Sequence, residues 1–421
     1  MLEDFSRREL FYLLGAGALM RARMLAAQAA VPSKSTIHTH IDPEWFRKTL
    51  AGETEHWLKA AATPSGFFQV TLDREWRPIG DQVATLTSQN RQIFVMGVGY
   101  ELTKNPAYVE ALKKGADFLL AKFRDTQYAL WFFSVSPDGK VLDSRKDCYG
   151  HAFTLLGLSH AARITRDQRY RDAALDTWTG MKEHLRYPGG FFKPVTSRDY
   201  GRVFGTNSQD PMMHLFEALL ALHDATGSKE IYSDAEEHAN NIYTKLYQED
   251  GGYLPEMYGA DWKPLPRVPL EVGHQFEWAY LLSHAVDKGF SKRYLEIGAR
   301  LLAFGMKSGY DHEQGGIYSR ANYAGHVEKG PKSWWQQCES LRAFMHYAAL
   351  RKRADLWEPF DQTLKFSKAN FIDHEYGGWF NAYDPGKLRT GAELNKGSVW
   401  QAGYHVCGMY IEALRLAGVM S

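Results

Sequence analysis

Internal repetition constrains this chain more than any other feature. A turn of small residues followed by aromatic or apolar ones recurs as Ser65-Gly66-Phe67-Phe68, Gly189-Gly190-Phe191-Phe192, Gly251-Gly252-Tyr253-Leu254, Gly315-Gly316-Ile317-Tyr318 and Gly377-Gly378-Trp379-Phe380, with a degenerate copy at Leu130-Trp131-Phe132-Phe133. Markers at Gly66, Phe132, Gly190, Gly252, Gly316 and Gly378 lie 66, 58, 62, 64 and 62 residues apart. Each copy reads as a short extended stretch followed by two runs with apolar residues at helical spacing. The runs are 86–103 with 107–123, 148–165 with 167–185, 213–226 with 228–247, 274–288 with 291–307 and 333–350 with 354–371; 43–62 and 398–416 stand at the ends. Gly227 between two of them is a natural helix C-cap. That makes twelve helices, or six pairs if the last packs beside the first. An open stack of hairpins leaves two apolar end faces, whereas a ring buries both. The expected fold is therefore all-α, a closed (α/α)6 barrel of six helical hairpins. It fills residues 31–421 as one domain, because no Pro-, Gly- or Ser-rich linker divides them.

Charge and cysteine content narrow the function. Fifty Lys+Arg against 49 Asp+Glu leave no electrostatic footprint for nucleic acid. After the first thirty residues no apolar run reaches the ~18 residues of a membrane span. Cys148, Cys338 and Cys407 have no C-x-x-C spacing and are expected to be packing residues. Residues 1–30 differ from the rest. Ser6-Arg7-Arg8-Glu9-Leu10-Phe11, an apolar run to Met20 and Ala27-Gln28-Ala29 resemble a twin-arginine export signal with its cleavage site. The expectation is a periplasmic mature protein, with His38 and His40 as solvated residues of a flexible leader.

The polar and aromatic residues gather at the starts of the inner-ring helices, and so at one mouth of the barrel. Arg91, Tyr149, His151, His214, Glu217, His274, Glu277, Trp278, Trp334, Trp335, Glu339 and His405 all lie there. His214 with Glu217 and His274 with Glu277 stand at i,i+3, on one helix face. A carboxylate so placed fixes an imidazole or binds a hydroxyl. A helix N-terminus disfavours the protonated imidazole and keeps it available as a base. Three histidines at equivalent repeat positions point to chemistry rather than packing. No dinucleotide or P-loop motif, no H-E-x-x-H and no G-x-S-x-G occurs. Asp311-His312-Glu313 and Asp373-His374-Glu375 read as turn chemistry in the hairpins. The pattern indicates metal-free, cofactor-free proton transfer by histidine on a carbohydrate.

Three segments carry a family resemblance: Glu271-Val272-Gly273-His274-Gln275-Phe276-Glu277-Trp278, Lys332-Ser333-Trp334-Trp335-Gln336-Gln337-Cys338-Glu339, and Lys396-Gly397-Ser398-Val399-Trp400-Gln401-Ala402-Gly403-Tyr404-His405. Together they resemble the signature segments of the N-acylglucosamine 2-epimerase family, and the similarity runs from about Pro43 to Gly418. The family includes cellobiose 2-epimerases, mannose isomerases and sulfoquinovose isomerases on an (α/α)6 barrel. The resemblance implies ring opening of a sugar and removal of its C2 proton by one histidine to give an enediolate. Protonation then follows at C2 from a second histidine, giving an epimer, or at C1, giving a ketose. It assigns His274 and His405 as the acid/base pair, Glu277 as the group orienting or assisting His274, Arg91 as the oxyanion stabiliser and His214 as the ring-opening group. Tyr149, Asp210, Glu217, Trp278, Trp335 and Glu339 are expected to bind and position substrate.

The chain departs from the family pattern at three places. Asp210-Pro211-Met212-Met213-His214 stands where Asn-x-His-x-His is common, so an amide has become an acid. Tyr280 replaces a tryptophan, and Val399, Gln401 and Gly403 replace a proline, a lysine and a proline in the last motif. The leading expectation is a sugar isomerase or 2-epimerase on a free reducing sugar, mannose–fructose interconversion first. Two other readings predict different outcomes. A glycoside hydrolase or lyase on the same barrel would use a carboxylate pair drawn from Glu217, Glu277 and Glu339. A non-catalytic sugar-binding module would bind without C2 exchange.

Overall fold

The computed structural model describes residues 34–420, so the export signal expected at 1–30 lies outside the described residues. A short helix, α1 (Lys34–His40), leads into α2 (Pro43–Ala61). Five hairpins follow: α3 (Leu86–Thr103) with α4 (Pro106–Phe118), α5 (Cys148–Thr165) with α6 (Gln168–Gly180), α7 (Gln209–Thr226) with α8 (Lys229–Lys245), α9 (Val272–Asp287) with α10 (Arg293–Gly309), and α11 (Trp334–Leu350) with α12 (Trp357–Asn370). The last helix is α13 (Tyr404–Leu416). Successive inner helices α3, α5, α7, α9, α11 and α13 touch one another, and α13 returns to pack on both α2 and α3.

The same closure is written in the backbone pairing outside the helices. Each two-residue strand ahead of an inner helix pairs antiparallel with the next repeat's hairpin: Thr85 with Ser134, Lys146 with Thr196, Ser208 with Met257, Leu270 with Ala321 and Lys332 with Tyr383. The sixth junction joins the ends of the chain, where Leu72 bridges Gly397. The inner helices are buried on nearly every side, as helices between a packed axis and an outer ring must be; in α5 the buried positions run almost unbroken from Cys148 to Ala162. One hydrophobic core extends from Ile37 to Ala417, and all three cysteines are buried and unpaired within it.

Side chains at matching repeat positions hold the turns. The fourth residue of α3, α9 and α11 is Gln89, Gln275 and Gln337, and each side-chain amide bonds both the N–H and the carbonyl of a turn residue, Phe68, Leu254 and Ile317. His151 has the same place in α5 and its Nε2 accepts from the Trp131 N–H at 3.1 Å, so this histidine is structural. Gly66, at φ +88°, is required: a Cβ there would stand 2.1 Å from the Lys114 carbonyl oxygen.

Asp125, Asp311 and Asp373 do more than shape turns. Each also receives a fully buried ammonium, from Lys146 at 2.9 Å, Lys332 at 2.7 Å and Lys396 at 2.8 Å. Removing one partner of such a pair strands the other charge in the core. Asp373→Ala is therefore expected to lower unfolding free energy by about 3–5 kcal/mol, with Lys396→Met in the same chain restoring much of it. Denaturant midpoints of the two variants check this.

The structure corrects several boundaries. Helix α7 begins at Gln209 rather than 213, because Pro211 lies in the first turn, where a missing N–H costs no helical bond. Helix α13 begins at Tyr404 rather than 398; Gly403 at φ +77° breaks the run and leaves Trp400 on an irregular segment. The region of His38 and His40 is no solvated leader. Ile37 joins the core, the His38 ring bonds the Ala417 carbonyl oxygen at 3.1 Å, and His40 stacks on Trp357 while contacting Asp361 at 2.7 Å.

Candidate active site

A cavity of about 460 Å³ opens where the inner helices begin, and Arg91, Tyr149, Asp210, His214, His274, Trp335, Trp400 and His405 line it. Helix geometry explains the gathering. The sixth residue of α3, α7, α9 and α11 is Arg91, His214, Glu277 and Glu339, and the second residue of α5, α7 and α11 is Tyr149, Asp210 and Trp335. Four residues turn a helix by about 40° net, so second and sixth positions share one face. The three histidines do not occupy equivalent positions, contrary to expectation: His214 is sixth in α7, His274 third in α9 and His405 second in α13. His405 at a second position and His214 at a sixth share that face, and His274 joins them in the cavity lining from the third position of α9.

Each histidine is held at Nδ1 by a carboxylate and turns Nε2 elsewhere. His405 Nδ1 lies 2.8 Å from Glu339, His274 Nδ1 2.9 Å from Glu256, and His214 Nδ1 3.4 Å from Glu217. The expected partner of His274 was Glu277. The imidazole turns instead to the hairpin, where Glu256 waits, although the same spacing lets His214 meet Glu217. Glu256 belongs to no motif. Its only sequence signal is its position one residue ahead of the strand Met257–Tyr258, which the extended stretch of the repeat made visible as backbone but not as chemistry.

Glu277 is instead a floor residue on the barrel axis. It is 1% exposed, and neither carboxyl oxygen has a hydrogen-bond partner among the described residues. Burial, then Glu339 and Glu217 beside it, raise its carboxyl well above the usual range, so it is held neutral. Glu339 and Glu217 complete this floor; Tyr404 donates its hydroxyl to Glu217, and Arg342 lies 3.5 Å from Glu339. Two sets of side chains here bring ligand atoms within 4.8 Å of one another, His214 with Glu217 and Glu277, and Glu277 with Glu339 and His405. Among the described residues, these are the ones that could hold a cation. The three carboxylates therefore sit beneath the cavity rather than on its walls.

Two of the three histidines lining the cavity have opposite electrostatic surroundings. Burial, Arg91 and His214 depress His405 well below the ordinary imidazole value, so it is neutral. Burial pulls His274 down as well, but Glu256 and then Asp210 outweigh it and raise it to about 10. Asp210 Oδ1 stands between His214 Nε2 at 3.4 Å and His274 Nε2 at 3.6 Å. Asp210→Asn removes that negative charge, and the alkaline limb of the rate profile is expected to move to lower pH. Turnover at neutral pH stays within about tenfold of the parent, which a pH–rate series on both proteins checks.

Arg91 donates to the Tyr149 hydroxyl at 2.8 Å and to the Trp400 carbonyl oxygen at 2.5 Å, with its guanidinium 4.4 Å above the Phe153 ring. Trp335 tilts against both His274 and His405, with centroids 4.8 and 5.6 Å away. Trp400, 57% exposed, projects at the mouth. The last motif marked this tryptophan without giving it a role. Trp278 is a correction. It is fully buried between the helix rings, bonds Gln209 Oε1 at 2.6 Å and packs on Phe216, so it does not face substrate. The seventh position of α9 points outward, away from the axis that Glu277 faces.

The chain is similar to known proteins in sequence and in fold. D-mannose isomerase of Marinomonas mediterranea is 26% identical over 402 residues, covering 92% of this chain and 98% of that one. Cellobiose 2-epimerase of Bacteroides fragilis is 25% identical, covering 89% and 96%. A crystal structure of D-mannose isomerase superposes with a TM-score of 0.81 at 23% identity, covering 88% of this chain and 97% of that one. The sequence profile of the N-acylglucosamine 2-epimerase (GlcNAc 2-epimerase) family matches residues 66–408, and the chain belongs to that family.

Proposed function

We propose that this protein is a sugar isomerase of the mannose–fructose type, acting on a free reducing sugar through a C2 enediolate. One observation carries the reading: a neutral and a protonated histidine, His405 and His274, face one cavity. The neutral His405 Nε2 takes the C2 proton of the open-chain aldose. The C–H electrons form a C1–C2 double bond, and the C1 carbonyl oxygen takes the negative charge beside the Arg91 guanidinium, a preorganised stabiliser. Protonation of C1 by His274, with transfer of the O2 proton to O1 as the C2 carbonyl forms, gives the ketose. Delivery from His274 to the opposite face of C2 gives the epimer instead. His214, between Asp210 and Glu217, is suited to relay the proton that opens the ring, and Tyr149 and Trp335 to hold the substrate.

The long match to D-mannose isomerase favours the ketose outcome. The hydrolase reading loses support because Glu277 and Glu339 lie buried in the floor rather than flanking a bond. The test is proton NMR in heavy water with a panel of free aldoses, ketoses and disaccharides. Deuterium at C1 or C2 with a new ketose or epimer supports the proposal, whereas no exchange with any reducing sugar overturns it. The pattern at residues 1–30 supports export to the periplasm, which fractionation of cells expressing the full chain tests.

A further inference from the structure

Trp278 of the signature segment and Gln209 at the start of α7 take no part in the chemistry above, yet a chain of buried hydrogen bonds ties both to His274. Trp278 donates its indole N–H to Gln209 Oε1 at 2.6 Å, and the Gln209 amide donates to Glu256 Oε2 at 3.2 Å. The same oxygen holds His274 Nδ1 at 2.9 Å. The Gln209 backbone N–H also bonds the Glu256 carbonyl oxygen, at 3.2 Å. All four side chains are buried, so their polar groups depend on one another for partners.

The indole gives this chain its direction. An indole N–H can only donate, so Trp278 requires the Gln209 oxygen and turns the amide NH2 toward Glu256. A flipped amide would set its oxygen against the carboxylate and its NH2 against the indole N–H. The bond from the amide favours the charged carboxylate, and with it the arrangement in which the proton stays on His274 rather than passing to Glu256. Among the described residues, Gln209 and His274 are the side chains that donate to Glu256, and Tyr258 and Tyr323 lie close enough to feel its charge. Around His274 itself, Asp210 faces Nε2 at 3.6 Å, Glu277 stands on the same helix and the Trp335 ring lies against the imidazole. Gln209 and Asp210, adjacent in α7, thus act on opposite nitrogens of one histidine.

We propose that Gln209 and Trp278 are positioning residues for His274, acting in series through Glu256 to aim its imidazole into the cavity and to keep the proton on Nδ1. The use of His274 as the acid rests on the isomerase reading, whereas the place of the proton can be read without turnover. Nitrogen NMR of the full chain labelled with 15N-histidine reads it, the His274 signals being those lost in His274→Asn. In the parent at neutral pH both ring nitrogens carry protons. In Gln209→Met, and in Trp278→Phe, which keeps a ring against Phe216, the Nδ1 signal is expected to move toward its unprotonated value. On the working sugar, each variant is expected to lower kcat by about tenfold with KM nearly unchanged, because neither side chain touches substrate. Links in series do not add, so the double variant should lose little more than Gln209→Met alone, and Gln209→Met should have little effect in a Glu256→Gln background. If Gln209→Met does not fold, Trp278→Phe decides by the same signals. The proposal is overturned if the His274 signals of the folded variants match the parent's, or if the two kcat losses multiply in the double variant. Signals that move as expected in a protein inactive on every sugar would uphold the positioning and sink the isomerase reading instead.

Discussion

His405→Asn is expected to lower kcat on the working sugar by about 10²–10⁴-fold, the usual contribution of a positioned general base, and to stop solvent exchange at C2. Asparagine is the informative replacement because its amide can stand where Nδ1 stands and keep the contact to Glu339, 2.8 Å away in the parent. What it removes is Nε2, the lone pair that faces the cavity. Burial and the nearby Arg91 cation hold this imidazole neutral, so no deprotonation step precedes its use as a base at any ordinary pH. The measurement is deuterium incorporation at C2 by proton NMR, with thermal unfolding of both proteins to show that the variant is folded. Exchange at the parental rate in His405→Asn would sink the assignment. Loss of activity on a glycoside in Glu277→Gln, with His405→Asn unaffected, would instead favour the hydrolase reading.

The fold was legible because its signal is periodic. Five small-residue turns and one degenerate copy, about sixty residues apart, leave few architectures, and the Leu72–Gly397 bridge is the closure that the repeat demands. Helix starts were less legible. Pro211 reads as a boundary, yet a helix's first turn tolerates it, and Gly403 ends a run that apolar spacing alone would extend. Within the site, residues on inner-helix faces could be found, since Arg91, Tyr149, Asp210, His214, Trp335 and His405 all line one cavity. Trp278 and the pairing of His274 with Glu277 came from the motif and from position at a helix start, which do not fix direction. The seventh position of α9 points away from the cavity, and His274 turns to Glu256 although the same spacing pairs His214 with Glu217. Glu256 escaped notice because it comes from a hairpin 18 residues before its histidine, and only the folded ring brings that hairpin over α9. The ion pairs of Lys332 and Lys396 show the converse: two residues inside the family's signature segments hold turns rather than substrate.

The other large effect is expected at the partner histidine. At about 10, His274 carries a proton throughout the neutral range, and its Nε2–H faces the cavity and Asp210. It therefore serves as the acid. His274→Asn should reduce product formation by about 10²–10⁴-fold. Because His405 still removes the C2 proton, exchange with solvent should fall less than product does, and the ratio of exchange to product rises. Equal loss of both would assign proton removal to His274 as well. Glu256→Gln separates charge from contact, since the amide keeps a hydrogen-bonding group near Nδ1 but no longer favours the cation. In the parent, activity that depends on protonated His274 is present below about 10 and lost as pH rises through it; in Glu256→Gln this limb moves to lower pH. Stability follows the same sign. A raised histidine contributes fully below its unfolded value of about 6.5 and loses that contribution as pH rises through the folded one. Parental stability should thus decline between those two values, and Glu256→Gln should flatten the decline. Denaturant titrations across that range, beside the pH–rate profiles, read both effects, and an alkaline limb unmoved by Glu256→Gln would show that another group sets it.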